Sequence, residues 1–423
     1  MAVSGDITRL QPGPERVAAA QSGSPARVTR LDRWLAVRVQ HTIDAARVRL
    51  ELWDGSSPFD APHAAIGDLV VRDRRTLFGL AINPDVWFAE GYATGQVEIR
   101  GPFQAMLDAM SRASLADPTW RDRMAAVLAV ANSPSGARRN VHHHYDLGNA
   151  FYERWLDTEL VYTCAYFPDP GMPLEDAQRA KLDLVCRKLR LQPGETVVEA
   201  GCGWGALALH MARHYGVRVK AFNVSREQLA YARERAAREG FTNQVEFIDD
   251  DYRNVRGEFD VFVSVGMLEH VGLRHFPTLA EVLRRSVRRD GGRGLLHFIG
   301  RDMPRPLNAW IRRRIFPGAY PPTLNEVATR VLVPAGMSIV DVENLRLHYA
   351  RTLAHWCDRF DAAKDDVREL FGEEFRRAWK MYLGGSQAAM ATGWMQLFQA
   401  VFAPRESSPP FWTRAELYQG RED

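Results

Sequence analysis

The chain has 423 residues, of which 46% are apolar and 25% charged, and a net charge of +3. That is the balance of a globular protein met from the water side, with roughly two or three domains, and it does not mark a nucleic-acid binder. No apolar run approaches the eighteen or so residues of a membrane span, and the N-terminus lacks a secretory apolar core. The four cysteines, Cys164, Cys186, Cys202 and Cys357, stand far apart with no C-x-x-C pair. A disulfide framework and a zinc knuckle are therefore not indicated, and a reducing cytoplasm fits best.

In chain order, residues 1–26 are rich in Gly, Pro and Ser without any period and read as a mobile arm. Residues 27–114 read as a small α+β domain of their own. Val48, Leu50 and Leu52 alternate with Arg49 and Glu51 ahead of Asp54-Gly55, the pattern of a half-buried strand entering a hairpin. Short apolar runs follow at 68–71 and 77–82, then a short helix over 103–110. This part offers no catalytic constellation, which leaves dimerisation, lipid contact or a structural role. Residues 115–140 carry a helical pattern and read as a linker. The adjacent His142, His143 and His144 point in different directions on any regular element, so they do not form a metal site.

The main domain spans 141–404, followed by a tail over 405–423. Glu195 to Gly205, E-T-V-V-E-A-G-C-G-W-G, passes from an apolar strand at Val197 and Val198 into a glycine-spaced turn. A helix then starts, with Ala206, Leu207, His210 and Met211 as its inward candidates. Val217, Val219 and Ala221 form a second strand, 245–248 a third, 259–265 a fourth and 294–299 a fifth. Strands and helices alternating at this spacing predict an α/β fold with a doubly wound parallel sheet, whose ligand lies beyond the carboxyl ends of the strands. Residues just after each strand are thus the candidates. After strand two, Ser225 and Gln228 match a capping box. After strand three, Asp250, Asp251, Tyr252 and Arg253 offer a carboxylate and an aromatic face. Glu269 follows strand four and His297 lies in the end of strand five, so the two sit on adjacent strand ends. Met395, Leu397 and Phe398 read as a last, antiparallel edge strand. Trp310, Ile311, Ile315 and Phe316 around Arg312, Arg313 and Arg314 suit a membrane surface and lipid phosphates. Leu353, Trp356 and Phe360 have the spacing of a helix in the core.

The acid-then-glycine order Glu199, Gly201, Gly203, Gly205 resembles the first motif of class I S-adenosylmethionine (SAM) methyltransferases. A wider set is more specific: His144 to Asn149, Tyr162 to Phe167, Glu199 to Gly205, Gly266 to Gly272, Leu296 to Gly300, Ile315 to Gly318 and His348 to Leu353. Together these resemble the cyclopropane-fatty-acyl-phospholipid synthases and their mycolic-acid relatives, over roughly residues 140–404. The resemblance implies a class I SAM methyltransferase sheet and the cofactor SAM, touched by Tyr162, Thr163, Glu199, Gly201, Gly203, Gly205, Asn223, Ser225, Gln228, Tyr252 and Arg253. It also implies a bicarbonate ion as general base, at Cys164, Glu269, His297, Ile299 and Tyr349. Glu199 stands where an aspartate is common and Asn223 where a threonine is common. The activity implied is conversion of a cis double bond in a membrane phospholipid acyl chain to a cyclopropane, by a peripheral protein at the inner membrane face. Gly266 and His297 lean towards ring closure over simple methylation, and Tyr166, Phe167, Tyr349 and Trp394 are candidate walls of a dry site. A homodimer is implied by the resemblance alone.

Overall fold

A computed structural model describes residues 27–58, 65–113, 147–407 and 412–418. The arm over 1–26, the linker over 115–140 and the histidines at 142–144 lie outside the described residues. The chain groups into two compact units that are not sequential: one takes 1–117, 308–317 and 356–394, the other 118–307, 318–355 and 395–423.

In the first unit, β1 (Val48–Glu51), β2 (Gly67–Val71) and β3 (Val97–Arg100) form a three-stranded sheet in that order. The inward positions Val48 and Leu50 are buried as their alternation requires. The expected hairpin is not there: β1 pairs with β2 in parallel, and β2 with β3 antiparallel. Asp54-Gly55 does turn the chain, with the Gly55 amide donating to the Leu52 carbonyl, but β1 and β2 run in the same direction and so are not the two arms of a hairpin. The run at 77–82 is helical, in Arg74–Ile82, because Asp73 caps it by accepting from the Thr76 amide. Helices Arg30–Ile43 and Pro84–Ala93 complete the α+β character.

In this unit the aromatic and basic segment around Arg312 to Arg314 turns inward rather than presenting a membrane surface. Trp310 and Ile315 are buried, the Trp310 indole donates to Glu90 at 2.9 Å, and Arg314 bridges Glu90 and Glu374 at 2.5 and 2.9 Å. An arginine placed between two carboxylates of its own unit is occupied structurally. Only Arg313 of the three is exposed. Trp394 also belongs here, its indole donating to the Ser111 carbonyl at 3.0 Å. It does not line the cofactor cavity described below.

The second unit holds a seven-stranded sheet in the order β6-β5-β4-β7-β8-β10-β9. β4 (Thr196–Ala200), β5 (Arg218–Asn223), β6 (Val245–Asp249), β7 (Val261–Val265) and β8 (Arg293–Gly300) run parallel. Neighbouring residues on one strand enter different cores. Val197, Val263 and Leu295 join one cluster, and Val198, Phe262 and Leu296 join the other. The sheet is therefore covered on both faces, the doubly wound arrangement the alternation predicts.

β10 (Gln396–Pro404) is antiparallel, as expected, but it is not the edge. It lies between β8 and β9 (Met337–Asn344), buried along its whole length, and β9 takes the edge. β9 lacks clean alternation in burial, which is why the sequence hides it. The topology puts the carboxyl ends of β4, β5, β6 and β7 side by side.

Candidate active site

A cavity opens beyond those strand ends. Tyr162, Thr163, Glu199, Gly201, Gly203, Asn223, Gln228, Tyr252 and Arg253 line it, together with Lys181, Trp204, Gly266, Met267 and His270. Gly205 and Ser225 do not. Gly205 has φ +85°, and a Cβ there would meet the Phe247 ring at 2.7 Å and the Ala232 Cβ at 3.0 Å, so it is needed for packing. Gly203, with φ +54° and nothing within 4 Å of such a Cβ, faces open space. Ser225 is fully buried and caps the helix Arg226–Glu239. Only half of the expected capping box forms, because the Gln228 side chain turns to Asn223, accepting from its Nδ2 at 2.8 Å. The same Asn223 nitrogen donates to the Gly203 carbonyl at 3.2 Å, tying the glycine loop to the next strand end. Asparagine at 223 thus does more than a threonine hydroxyl could at this spacing.

The segment carrying Tyr162 and Thr163 is held from one face of the helix Leu174–Lys188. Gln178 donates to the carbonyls of Val161 and Thr163 at 3.2 and 2.8 Å, and Lys181, one turn on, donates to the Thr163 hydroxyl at 2.8 Å. Lys181 is 1% exposed and was not anticipated from the sequence. It faces the buried Glu199, and burial pushes the two in opposite directions, the Glu199 carboxyl up and the Lys181 ammonium down, each held back by the other's charge. Tyr162 packs in an aromatic cluster, 5.2 Å from Trp155 and 5.6 Å from Tyr152. On the opposite wall the Asp251 carboxylate accepts from Arg253 at 2.9 Å and is buried, so it is neither a solvated turn nor a free acid.

Glu199 Oε2 and the Tyr252 hydroxyl are buried without protein partners. Buried polar atoms of this kind require a counterpart. An acid, a hydroxyl and the open face of Gly203 around one cavity fit a nucleoside joined to an amino acid, the chemistry of SAM.

The second set, Cys164, Glu269, His297, Ile299 and Tyr349, does not line this cavity but adjoins it. Thr163 precedes Cys164, Met267 and His270 flank Glu269, and the amide of Gly266 donates to the His297 carbonyl at 2.9 Å. Gly266 has φ +76°, which turns the chain out of β7 towards this point. Glu269 accepts from the Ile299 amide, so Glu269, His297 and Ile299 converge at the end of β8. Leu397 is the partner of Ile299 in β10, and its carbonyl accepts from Leu345. The Leu345 carbonyl in turn accepts from the Tyr349 amide at 3.0 Å and lies 3.9 Å from the Cys164 sulfur. The five residues are thereby joined through short backbone links.

Burial pushes the Glu269 carboxyl up to about 7, against the lowering effect of the Ile299 amide. His297 is held neutral, well below its ordinary value, by burial and by the charges of Lys181 and Lys188. Glu269 Oε2 and His297 Nε2 are both buried without protein partners. The Cys164 thiol donates to the Ala165 carbonyl at 3.1 Å, and burial raises it far from ionisation, which removes it as a nucleophile. Tyr166 lies 4.9 Å from the His348 ring, and Phe167 stacks 5.6 Å from His355.

Comparison with known proteins identifies the family. The family model for mycolic acid cyclopropane synthetase matches residues 132–400. A probable fatty acid methyltransferase of Pseudomonas putida is 35% identical over 384 residues, covering 88% of this chain and 96% of that protein. The cyclopropane-fatty-acyl-phospholipid synthase of Escherichia coli K12 is 39% identical, over 62% of this chain and 66% of that protein. The mycolic acid cyclopropane synthase CmaA1, solved with SAH and CTAB, superposes with a TM-score of 0.59 at 29% identity, covering 63% of this chain and 97% of that one. The chain belongs to the mycolic acid cyclopropane synthetase family and is a SAM-dependent methyltransferase of the cyclopropane synthase kind.

Proposed function

We propose that this protein adds a methylene group from SAM across the cis double bond of an unsaturated acyl chain of a membrane phospholipid, closing a cyclopropane ring with bicarbonate as the base. The observation that carries the proposal is the second polar cluster one residue away from the cofactor cavity. A methyltransferase that ends at methyl transfer to a heteroatom has no need of two buried, unpartnered groups such as Glu269 Oε2 and His297 Nε2.

Bound SAM would supply an electrophilic methyl on its sulfonium; as the alkene forms its bond to that carbon the S–CH₃ bond would break, releasing SAH and leaving the acyl chain a cation that carries the new methyl. A bicarbonate held beside the cavity would supply the base for a proton of that methyl, whose C–H electron pair would close the ring, with carbonic acid as the other product. The residues of this chain serve the surroundings of those events. Tyr162, Thr163, Glu199, Gly201, Gly203, Asn223, Gln228, Tyr252 and Arg253 hold and orient the cofactor; Lys181 and Gln178 hold Thr163 in place. Glu269, His297 and the backbone near Ile299 and Cys164 hold the anion, with Tyr349 beside them. Buried aromatic side chains such as Phe167 and Tyr349 exclude water, which would otherwise trap the cation. No helix among the described residues is long and apolar enough to cross a membrane.

Incubation with SAM and vesicles of unsaturated phospholipid tests this reading. The product should be heavier by one CH₂ and should have lost its olefinic proton signals. A second reading is C-methylation without ring closure, favoured by the Pseudomonas putida relative, which aligns over nearly its whole length. A product heavier by one CH₂ that keeps an olefin would select it.

A further inference from the structure

We propose that Lys188 and Gln399, outside the cofactor cavity, fix His297 in the tautomer protonated on Nε2, so that its imidazole serves the reacting centre as a hydrogen-bond donor and not as the base. This rests on the reading above and assigns a role to two residues outside the site.

The geometry begins in the sheet. His297 on β8, Gln399 on β10 and Glu343 on β9 are cross-strand partners in one row. Such a row places their side chains on a common face. Lys188, at the end of the helix Leu174–Lys188, lies over this row and is fully buried, as is Gln399. Its ammonium donates to Glu343 Oε2 at 2.5 Å and to Gln399 Oε1 at 2.7 Å. The Gln399 Nε2 lies 3.1 Å from His297 Nδ1.

Each link admits one direction. A lysine ammonium has donors only, so the Gln399 atom facing it must be the carbonyl oxygen. The reverse amide orientation would aim NH₂ at NH₃⁺ inside a dry core, and the Lys188–Glu343 ion pair holds the ammonium in place. The other end of the amide is then NH₂, which donates. His297 Nδ1 must accept, and a neutral imidazole that accepts at Nδ1 carries its proton on Nε2. That Nε2 is the buried atom with no protein partner. A buried, unpartnered N–H on the strand end whose Ile299 amide binds Glu269 is suited to an oxyanion such as bicarbonate, and it leaves proton removal to that anion. Lys188 and Gln399 are positioning residues: they touch neither cofactor nor substrate and act through the imidazole.

The wild-type protein labelled with ¹⁵N-histidine reports the tautomer directly, the His297 signal being identified by its loss in His297→Gln. The expected spectrum shows a neutral ring with the proton on Nε2. In Gln399→Glu the carboxylate accepts from both Lys188 and His297, so Nδ1 becomes protonated. Turnover should fall on the order of 100-fold, as when a buried hydrogen bond to a charged group is lost, while SAH affinity by calorimetry stays within about twofold because Gln399 is outside the cofactor cavity. A wild-type ring protonated on Nδ1 overturns the proposal, as does Gln399→Glu with Nδ1 protonated and turnover undiminished. The wild-type spectrum needs no variant at position 399 to fold. A wild-type protein that shows the Nε2 tautomer but transfers no methylene refutes the proposed function and leaves the tautomer assignment standing.

Discussion

Glu269 shows how the site trades stability for chemistry. Its carboxyl is raised from 4.5 to about 7 by burial. The folded chain therefore holds this proton more tightly than the unfolded chain does. Between about pH 4.5 and 7 the unfolded state binds fewer protons, so stability falls as pH rises through that window and stays lower above it. Glu269→Gln keeps an acceptor for the Ile299 amide and removes the ionisation. In the protein without ligands, urea denaturation should show the variant more stable by on the order of 2–3 kcal/mol at pH 8 and equal to wild type near pH 4, with ring formation lost. Lys181→Met should lower SAH affinity about tenfold by calorimetry, through loss of the Thr163 tether and of the charge facing Glu199. Glu269 and His297 were legible in the sequence because adjacent strand ends meet. Lys181 and Lys188 were not, since a lysine in a helix reads as solvated. The signal was in the spacing: Gln178, Lys181, Val185 and Lys188 form one stripe at helical period, and all four are buried.

At the scale of elements, the glycine turn separates two jobs that one motif had merged. Gly205→Ala puts a Cβ against Phe247 and Ala232 at a positive φ. It should cost about 2–4 kcal/mol in denaturant unfolding, from strain and overpacking together. Gly203→Ala meets no atom, so its stability loss should be about 1 kcal/mol, while its methyl intrudes on the cavity and weakens SAH binding. An equal loss of stability in the two variants would contradict this division. The five parallel strands could be read because each is a short apolar run followed by turn chemistry and a helix. β9 and the interior place of β10 could not, because an uneven strand gives no period and antiparallel partners distant in sequence leave no local trace.

On the scale of the whole molecule, a linear reading assigns 141–404 to one domain, yet compactness gathers 308–317 and 356–394 with the N-terminal segment. Nothing local signals that choice. Trp310 and Arg314 carry the same residue types whether they face lipid or, as here, Glu90 and Glu374. What the sequence did convey is the second unit's layout, in which the cofactor cavity and the buried Glu269 and His297 come from successive strand ends of one sheet. The central claim is that a transferred methyl is deprotonated and closed into a ring next to that cavity. It is tested most directly by supplying SAM labelled with ¹³C in its methyl group and phospholipid vesicles with cis-unsaturated chains, then reading the lipid by NMR. The label should appear as a ring CH₂ bonded to both former alkene carbons; a labelled CH₃ branch, or no label in the lipid, would contradict the account.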